Sequence, residues 1–225
     1  SMEEIQAFST EISQFLISLG VKVIIIACNT ASAAALHNLR KIFPSISFVG
    51  MEPAIKPAAE ITKTDVVGVL ATPATFQGLL YAKVVERFGQ GVKILQSSCP
   101  GLVQQIERGE IDTLQTREIL YNSLAPMLKQ NIDTVVLGCT HYPFVIPLIQ
   151  EIVGMKVRVI DPAPAVAKQA IRLLKIYKNS VTGNGQGKNI YYTSGNKKDL
   201  KDFIASTMGI FTNVRKVKWI DGKIQ

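Results

Sequence analysis

One pattern occurs twice in the chain and limits what it can fold into. Residues 21–30 and 132–141 each follow an amphipathic helical stretch and run through an apolar, β-branched segment. Each ends on a small residue, a cysteine and two hydrogen-bonding side chains: Ala27-Cys28-Asn29-Thr30 in the first copy, Gly138-Cys139-Thr140-His141 in the second. Helix, buried strand and next helix, in that order, form the repeating unit of a parallel sheet covered by helices. Two copies imply two related α/β halves.

The same alternation continues along the chain. Strands are predicted over residues 23–27, 47–50, 66–70, 92–96, 134–138, 157–160, 190–193 and 214–219. Helices are predicted over 3–19, 31–42, 76–88, 116–129, 145–152, 164–177 and 197–208. The lysine-rich stretch 175–188, with its glycines and asparagines, reads as a loop or disordered segment. A chain of 225 residues that is 47% hydrophobic can bury one large core or two modest ones, which argues against general disorder. Its apolar runs are strand-length, well short of the ~20 residues that cross a bilayer. The polar opening Ser1-Met2-Glu3-Glu4 does not read as a secretory signal, and three cysteines suit a reducing compartment. A cytoplasmic protein without a membrane span is expected.

Charge is unevenly distributed. Of the 25 Lys/Arg, twelve fall in residues 163–225, against three Asp, and the rest of the chain is close to neutral. A basic region can meet nucleic acid or an acidic partner. No nucleic-acid motif or interleaved aromatic set accompanies it, so a solvated lysine-rich face is the preferred reading.

Chemistry concentrates at the two cysteines. Ligands of open parallel sheets bind beyond the carboxyl ends of the strands, where both thiols are expected. Ala27 and Gly138 are read as leaving room beside them. Helices that start after each cysteine would direct free N–H groups at the site and favour a thiolate. Two opposed thiols suit the inversion of an amino acid's α-carbon: one removes the proton while the other donates to the opposite face. Asn29, Thr30 and Thr140 offer neutral donors to the substrate's carboxylates. The simplest competing reading makes each cysteine a small core residue, but matched polar successors in two copies weigh against it. A zinc site would need closely spaced ligands, and no CxxC pair or second histidine stands near Cys139 and His141.

The segments Ala27-Cys28-Asn29-Thr30-Ala31-Ser32-Ala33 and Leu137-Gly138-Cys139-Thr140-His141-Tyr142-Pro143 are similar to the two cysteine motifs of glutamate racemases. Glu52-Pro53-Ala54, Ala71-Thr72-Pro73-Ala74-Thr75, Ser98-Cys99-Pro100 with Glu107-Arg108-Gly109, Asp161-Pro162-Ala163 and Tyr192-Thr193-Ser194-Gly195 resemble further landmarks in the same order. The resemblance implies two pseudo-symmetric α/β domains, each a mostly parallel sheet flanked by helices. One comprises residues 1–55 with 163–225, the other 56–162. It implies cofactor-independent interconversion of L- and D-glutamate without metal, pyridoxal or nucleotide, with D-glutamate entering peptidoglycan, and a homo-oligomer such as a dimer. By the same resemblance Cys28 acts on the D-enantiomer and Cys139 on the L-enantiomer. His141 assists the second thiol, Glu107 supports His141, and Asn29, Thr30, Thr72, Thr75 and Thr140 hold the substrate.

Other expectations stand beside these. His141 and the threonines suit helix capping, Cys99 has no paired motif and suits packing, and His37 suits a surface position. Family members begin with a strand and an Asp-Ser loop, then a Pro-Tyr-Gly loop, and neither is in this sequence, so the first domain is expected to be N-terminally incomplete. Aspartate racemisation, or an inactive binding or regulatory protein, are the alternative functions.

Overall fold

The computed structural model describes residues 1–176 and 187–225. In chain order the elements begin with α1 (Met2–Ser18), β1 (Val23–Ile25), α2 (Asn29–Ile42), β2 (Ser47–Val49), α3 (Ile55–Ile61) and β3 (Val66–Ala71). They continue with α4 (Pro73–Phe76), α5 (Leu79–Phe88), β4 (Lys93–Ser97), α6 (Leu102–Glu107), α7 (Leu114–Leu128) and β5 (Thr134–Gly138). A 3-10 turn (Tyr142–Val145) leads into α8 (Ile146–Val153), β6 (Arg158–Ile160) and α9 (Ala163–Ile176). After it come β7 (Tyr191–Thr193), α10 (Lys197–Met208), β8 (Val214–Lys216), β9 (Trp219–Ile220) and β10 (Lys223–Ile224). The α/β class and its parallel pairing agree with the sequence expectation. Most of the loop predicted over 175–188 lies outside the described residues. No described helix is long and apolar enough to cross a membrane.

The chain divides into two compact units, Ser1–Ile25 with Ala34–Val49 and Lys168–Gln225, and Ile26–Ala33 with Gly50–Ala167. In the first, β1 pairs with β2 and β7 with β8, each pair parallel. Helix α1 sets Phe8 edge-on to Trp219 and Phe15 edge-on to Tyr192, each at 5.2 Å between ring centroids. The strand predicted over 214–219 is interrupted. Val217 donates to the carbonyl of Thr193, and the chain then folds back so that β9 and β10 form an antiparallel hairpin. Asp221 and Gly222, both at positive φ, make its turn, and Asp-Gly favours this geometry because it tolerates two left-handed residues in succession.

The second unit is built on a four-stranded parallel sheet in the order β4-β3-β5-β6. Its two central strands read as unbroken apolar runs because both faces are covered: all of β5, and β3 from Val67 onward, are buried. A core of Ile55, Ala58, Val67, Val69, Tyr81, Val84 and Val136 fills one side. The strand order reverses between β3 and β5, the position at which open α/β sheets leave a crevice beyond the strand ends. There Ala71 lies in register with Gly138. A Cβ on Gly138 would come within 2.7 Å of the Ala71 Cβ and 3.2 Å of the Leu70 carbonyl, so the glycine lets the two strands close at their ends. The space beside Gly138 is therefore taken up by Ala71, rather than left open next to the thiol.

Two helices here have no counterpart in the predicted set. Short α3 and α6 span seven and six residues, too few for a helical period to register. Gly78 splits the helix predicted over 76–88, with extended backbone that ends α4 and opens α5. Helix α7 starts two residues earlier than predicted because the Thr113 hydroxyl caps it, accepting from the Thr116 N–H at 3.2 Å.

Candidate active site

All nine of the proposed site residues fall in the second unit. Cys28 is exposed and immediately precedes α2. Its carbonyl accepts from the Ser32 N–H at 2.9 Å, and its sulfur accepts from the Ala31 N–H at 3.4 Å. The helix thus turns one of its unpaired N–H groups onto the thiol, as its early start at Asn29 allows.

Asn29 is buried and joins the two copies of the repeat. Its Nδ2 donates to the carbonyl of Gly138 at 2.8 Å, so the residue after Cys28 is bonded to the residue before Cys139. Because the amide nitrogen is committed to a carbonyl, the amide cannot flip, and Oδ1 is left as an acceptor with no partner among the described residues. A buried, oriented acceptor without a donor is costly in a folded chain.

Three threonine hydroxyls form a chain. Thr75 is buried on α4, with Oγ1 3.3 Å from that of Thr30 and 3.1 Å from that of Thr72. Thr72 is the residue that would cap α4, yet its side chain makes no capping bond. Its hydroxyl is turned to Thr75 instead.

Cys139 directly follows β5 and is half-buried. Burial pushes its thiol up from the ordinary value, opposed by the backbone N–H groups of His141 and Tyr142 and reinforced by the nearby Cys28. The N–H groups expected after the strand are present, but they come from a 3-10 turn instead of an α-helix and do not outweigh desolvation. A proton acceptor stands beside the sulfur. Nδ1 of His141 is 3.8 Å from Cys139 Sγ, and Nε2 is 3.1 Å from Glu107 Oε1. A carboxylate only accepts, so Nε2 carries the proton toward Glu107, and in the neutral ring Nδ1 is left as a lone pair facing the thiol. Thiol, imidazole and carboxylate form an aligned set of the kind that activates a nucleophile or base. His141 makes no side-chain capping bond to the turn it precedes, and Thr140 lies half-buried between it and Cys139.

Glu107 reaches this position because α6 is held in place. Gly101, at φ +85, opens the helix, and Cys99 enters the same loop in the left-handed region at φ +44. Cys99 is buried and its thiol is pushed up by desolvation, as for a packed residue. Tyr142, wholly buried, donates its hydroxyl to the Ser98 carbonyl at 3.3 Å and fixes this loop to the turn bearing His141. His37 is exposed on α2.

Ser32 is absent from the expected site set. It is buried, its hydroxyl donates to the Ile26 carbonyl at 3.1 Å, and the same oxygen accepts from the Met51 N–H at 2.9 Å. The only sequence signal is a serine one helical turn after Cys28, in a run of alanines.

The Asp/Glu/Hydantoin racemase family model matches residues 2–170. Glutamate racemase of Roseiflexus sp. (strain RS-1) is 46% identical over 175 residues, which cover 78% of this chain and 64% of that relative. The chain therefore spans a little under two thirds of that relative's length. The crystal structure of glutamate racemase isoform RacE1 from Bacillus anthracis superposes with a TM-score of 0.82 at 31% identity, covering 97% of this chain and 82% of that one. Escherichia coli glutamate racemase, solved in complex with L-glutamate and the activator UDP-MurNAc-ala, superposes with a TM-score of 0.83 at 26% identity, covering 97% of this chain and 82% of that one. A family model matched over most of the chain, and a fold shared over 97% of it, place this protein in the Asp/Glu/hydantoin racemase family, with glutamate racemases as its relatives.

Proposed function

We propose that this chain interconverts L-glutamate and D-glutamate by two-thiol proton transfer without a cofactor. The observation that carries the reading is the Asn29–Gly138 bond, which fastens the segment bearing Cys28 to the strand bearing Cys139. The names of its relatives supply the substrate.

In the L-to-D direction Cys139, as thiolate, takes the α-proton. The C–H electron pair moves into the carboxylate-stabilised carbanion, and the Cys28 thiol delivers a proton to the opposite face. The reverse direction exchanges the two roles. His141 accepts the Cys139 proton through Nδ1, which offsets the burial that holds that thiol protonated, and Glu107 steadies the imidazolium. The free Oδ1 of Asn29 suits the α-ammonium. The hydroxyls of Thr30, Thr72, Thr75 and Thr140 suit the carboxylates.

The wider reading is a cytoplasmic enzyme that supplies D-glutamate to bacterial peptidoglycan, acting as a dimer. Its domains comprise residues 1–55 with 163–225, and 56–162. The test follows optical rotation and α-deuterium uptake in D2O with glutamate and with aspartate. Exchange on glutamate that is lost in Cys28→Ala and in Cys139→Ala supports the reading. Faster exchange on aspartate replaces the substrate, and no exchange on either refutes the activity.

A further inference from the structure

We infer that Ser32 is a positioning residue for Cys28, the part of the proposed reaction on which this inference rests. Cys28 occupies a turn between β1 and α2, and Ser32 closes that turn from two directions. Its N–H holds the carbonyl of Cys28 at 2.9 Å and its hydroxyl holds the carbonyl of Ile26 at 3.1 Å, so the peptide groups before Ala27 and after Cys28 are both fixed by one residue. The hydroxyl oxygen then accepts from the backbone of Met51 at 2.9 Å, which ties the turn to the segment leaving β2.

The chemistry requires a side chain of this kind. A backbone carbonyl needs a donor and a backbone N–H needs an acceptor, and a single hydroxyl satisfies both at once. Ser32 is 3% exposed and Met51 4%, so water is poorly placed to substitute. Alanine and glycine supply neither group, and a carboxylate could not donate to Ile26. Ser32 touches no reacting atom. Its effect passes through the direction of the Cys28 Cα–Cβ bond and through the Ala31 N–H, which points at the sulfur only while the first turn of α2 stays closed. A proton-transfer group displaced by about 1 Å loses up to roughly 100-fold in rate.

The two thiols give the experiment its internal control. Racemisation has equal free energies at both ends, so the two directions keep the same kcat/KM and a general loss of activity would say little. Isotope effects separate the steps. With D-[2-²H]glutamate the labelled proton is removed by Cys28, and with L-[2-²H]glutamate by Cys139. In Ser32→Ala, kcat is expected to fall by roughly 10- to 100-fold. The isotope effect should rise with the D-substrate and shrink with the L-substrate as the Cys28 step becomes limiting. Independently of turnover, mass-resolved alkylation by iodoacetamide at neutral pH should slow several-fold at Cys28 and stay unchanged at Cys139. Ser32→Thr, which keeps the hydroxyl, should restore both readouts and separates positioning from misfolding. Ser32→Ala with wild-type Cys28 alkylation and an unchanged isotope-effect pattern overturns the inference. An inactive wild-type chain whose alkylation pattern still shifts in Ser32→Ala fails the proposed function and leaves the positioning role standing.

Discussion

The side-chain amide of Asn29 donates to the backbone carbonyl of Gly138 from 109 positions away in the sequence, at 2.8 Å. Through this bond the two copies of the repeat become one structural object. Asn29→Ala leaves the Gly138 carbonyl buried without its donor, so the unfolding free energy should fall by about 1–3 kcal/mol. Racemase activity should fall further than the stability change explains, since the proposed ammonium acceptor goes too. Denaturant melts and initial rates on the same preparations check both, and a variant with unaltered turnover dismisses the assignment.

His141 and Glu107 make a second relationship with a consequence for rate. Glu107→Gln keeps an oxygen near Nε2 but replaces a carboxylate, which only accepts, with an amide whose nitrogen cannot hold the ring N–H. Turnover is expected to drop about tenfold with KM nearly constant, whereas His141→Ala should cost roughly 100-fold or more, the usual range for a lost acid–base partner. Steady-state kinetics in both directions measure this. Equal losses in the two variants would mean that Glu107 does more than orient the ring.

Gly138 tests the packing at the strand ends. Gly138→Ala drives a methyl into the Ala71 Cβ at 2.7 Å, a contact between two main-chain-anchored atoms that cannot rotate aside. A loss of about 1–3 kcal/mol is expected. Pairing it with Ala71→Gly removes the opposing methyl and should recover most of that loss, which thermal melts of the single and double variants can read.

Alkaline pH should weaken the second unit. Cys99, Cys139 and Tyr142 all have values raised mainly by burial, so each stays protonated in the folded chain after its unfolded counterpart has ionised. The stability they hold is fully present below the ordinary thiol value of ~8.5 and is lost as pH rises through their folded values, with the tyrosine adding its share above ~10. Urea midpoints across that window should fall steadily. Tyr142→Phe, which also loses the bond to Ser98, should start about 1 kcal/mol lower at neutral pH and then decline less steeply.

The parts of this structure legible in the sequence are those whose signal is local. Strands β3 and β5 announce themselves because Val66–Ala71 and residues 135–138 are apolar on both faces, and the two cysteines stand out because their polar neighbours repeat. Helix α6 does not show, since it depends on left-handed backbone at Cys99 and Gly101 rather than on periodicity. The hairpin at Asp221-Gly222 carries a local signal that a continuous strand reading of 214–219 passes over. Glu107 and His141 are 34 positions apart, and nothing in their own neighbourhoods specifies that they meet. Ser32 is hidden for another reason: its three partners, Ile26, Cys28 and Met51, use only their backbones, so no partner side chain marks it.

The hydroxyls of Thr30, Thr75 and Thr72 have one proton each, and two hydrogen bonds join them. One proton is therefore always left over. If the chain runs from Thr30 toward Thr72, the spare donor emerges at Thr72; if it runs the other way, it emerges at Thr30. A third arrangement points both outer hydroxyls at Thr75 and leaves the spare proton there. Small rotations convert one state to another without moving the backbone. For the proposed racemisation, in which mirror-image forms of one molecule are held in turn, three joined threonine hydroxyls supply a reversible polarity that no fixed cation could.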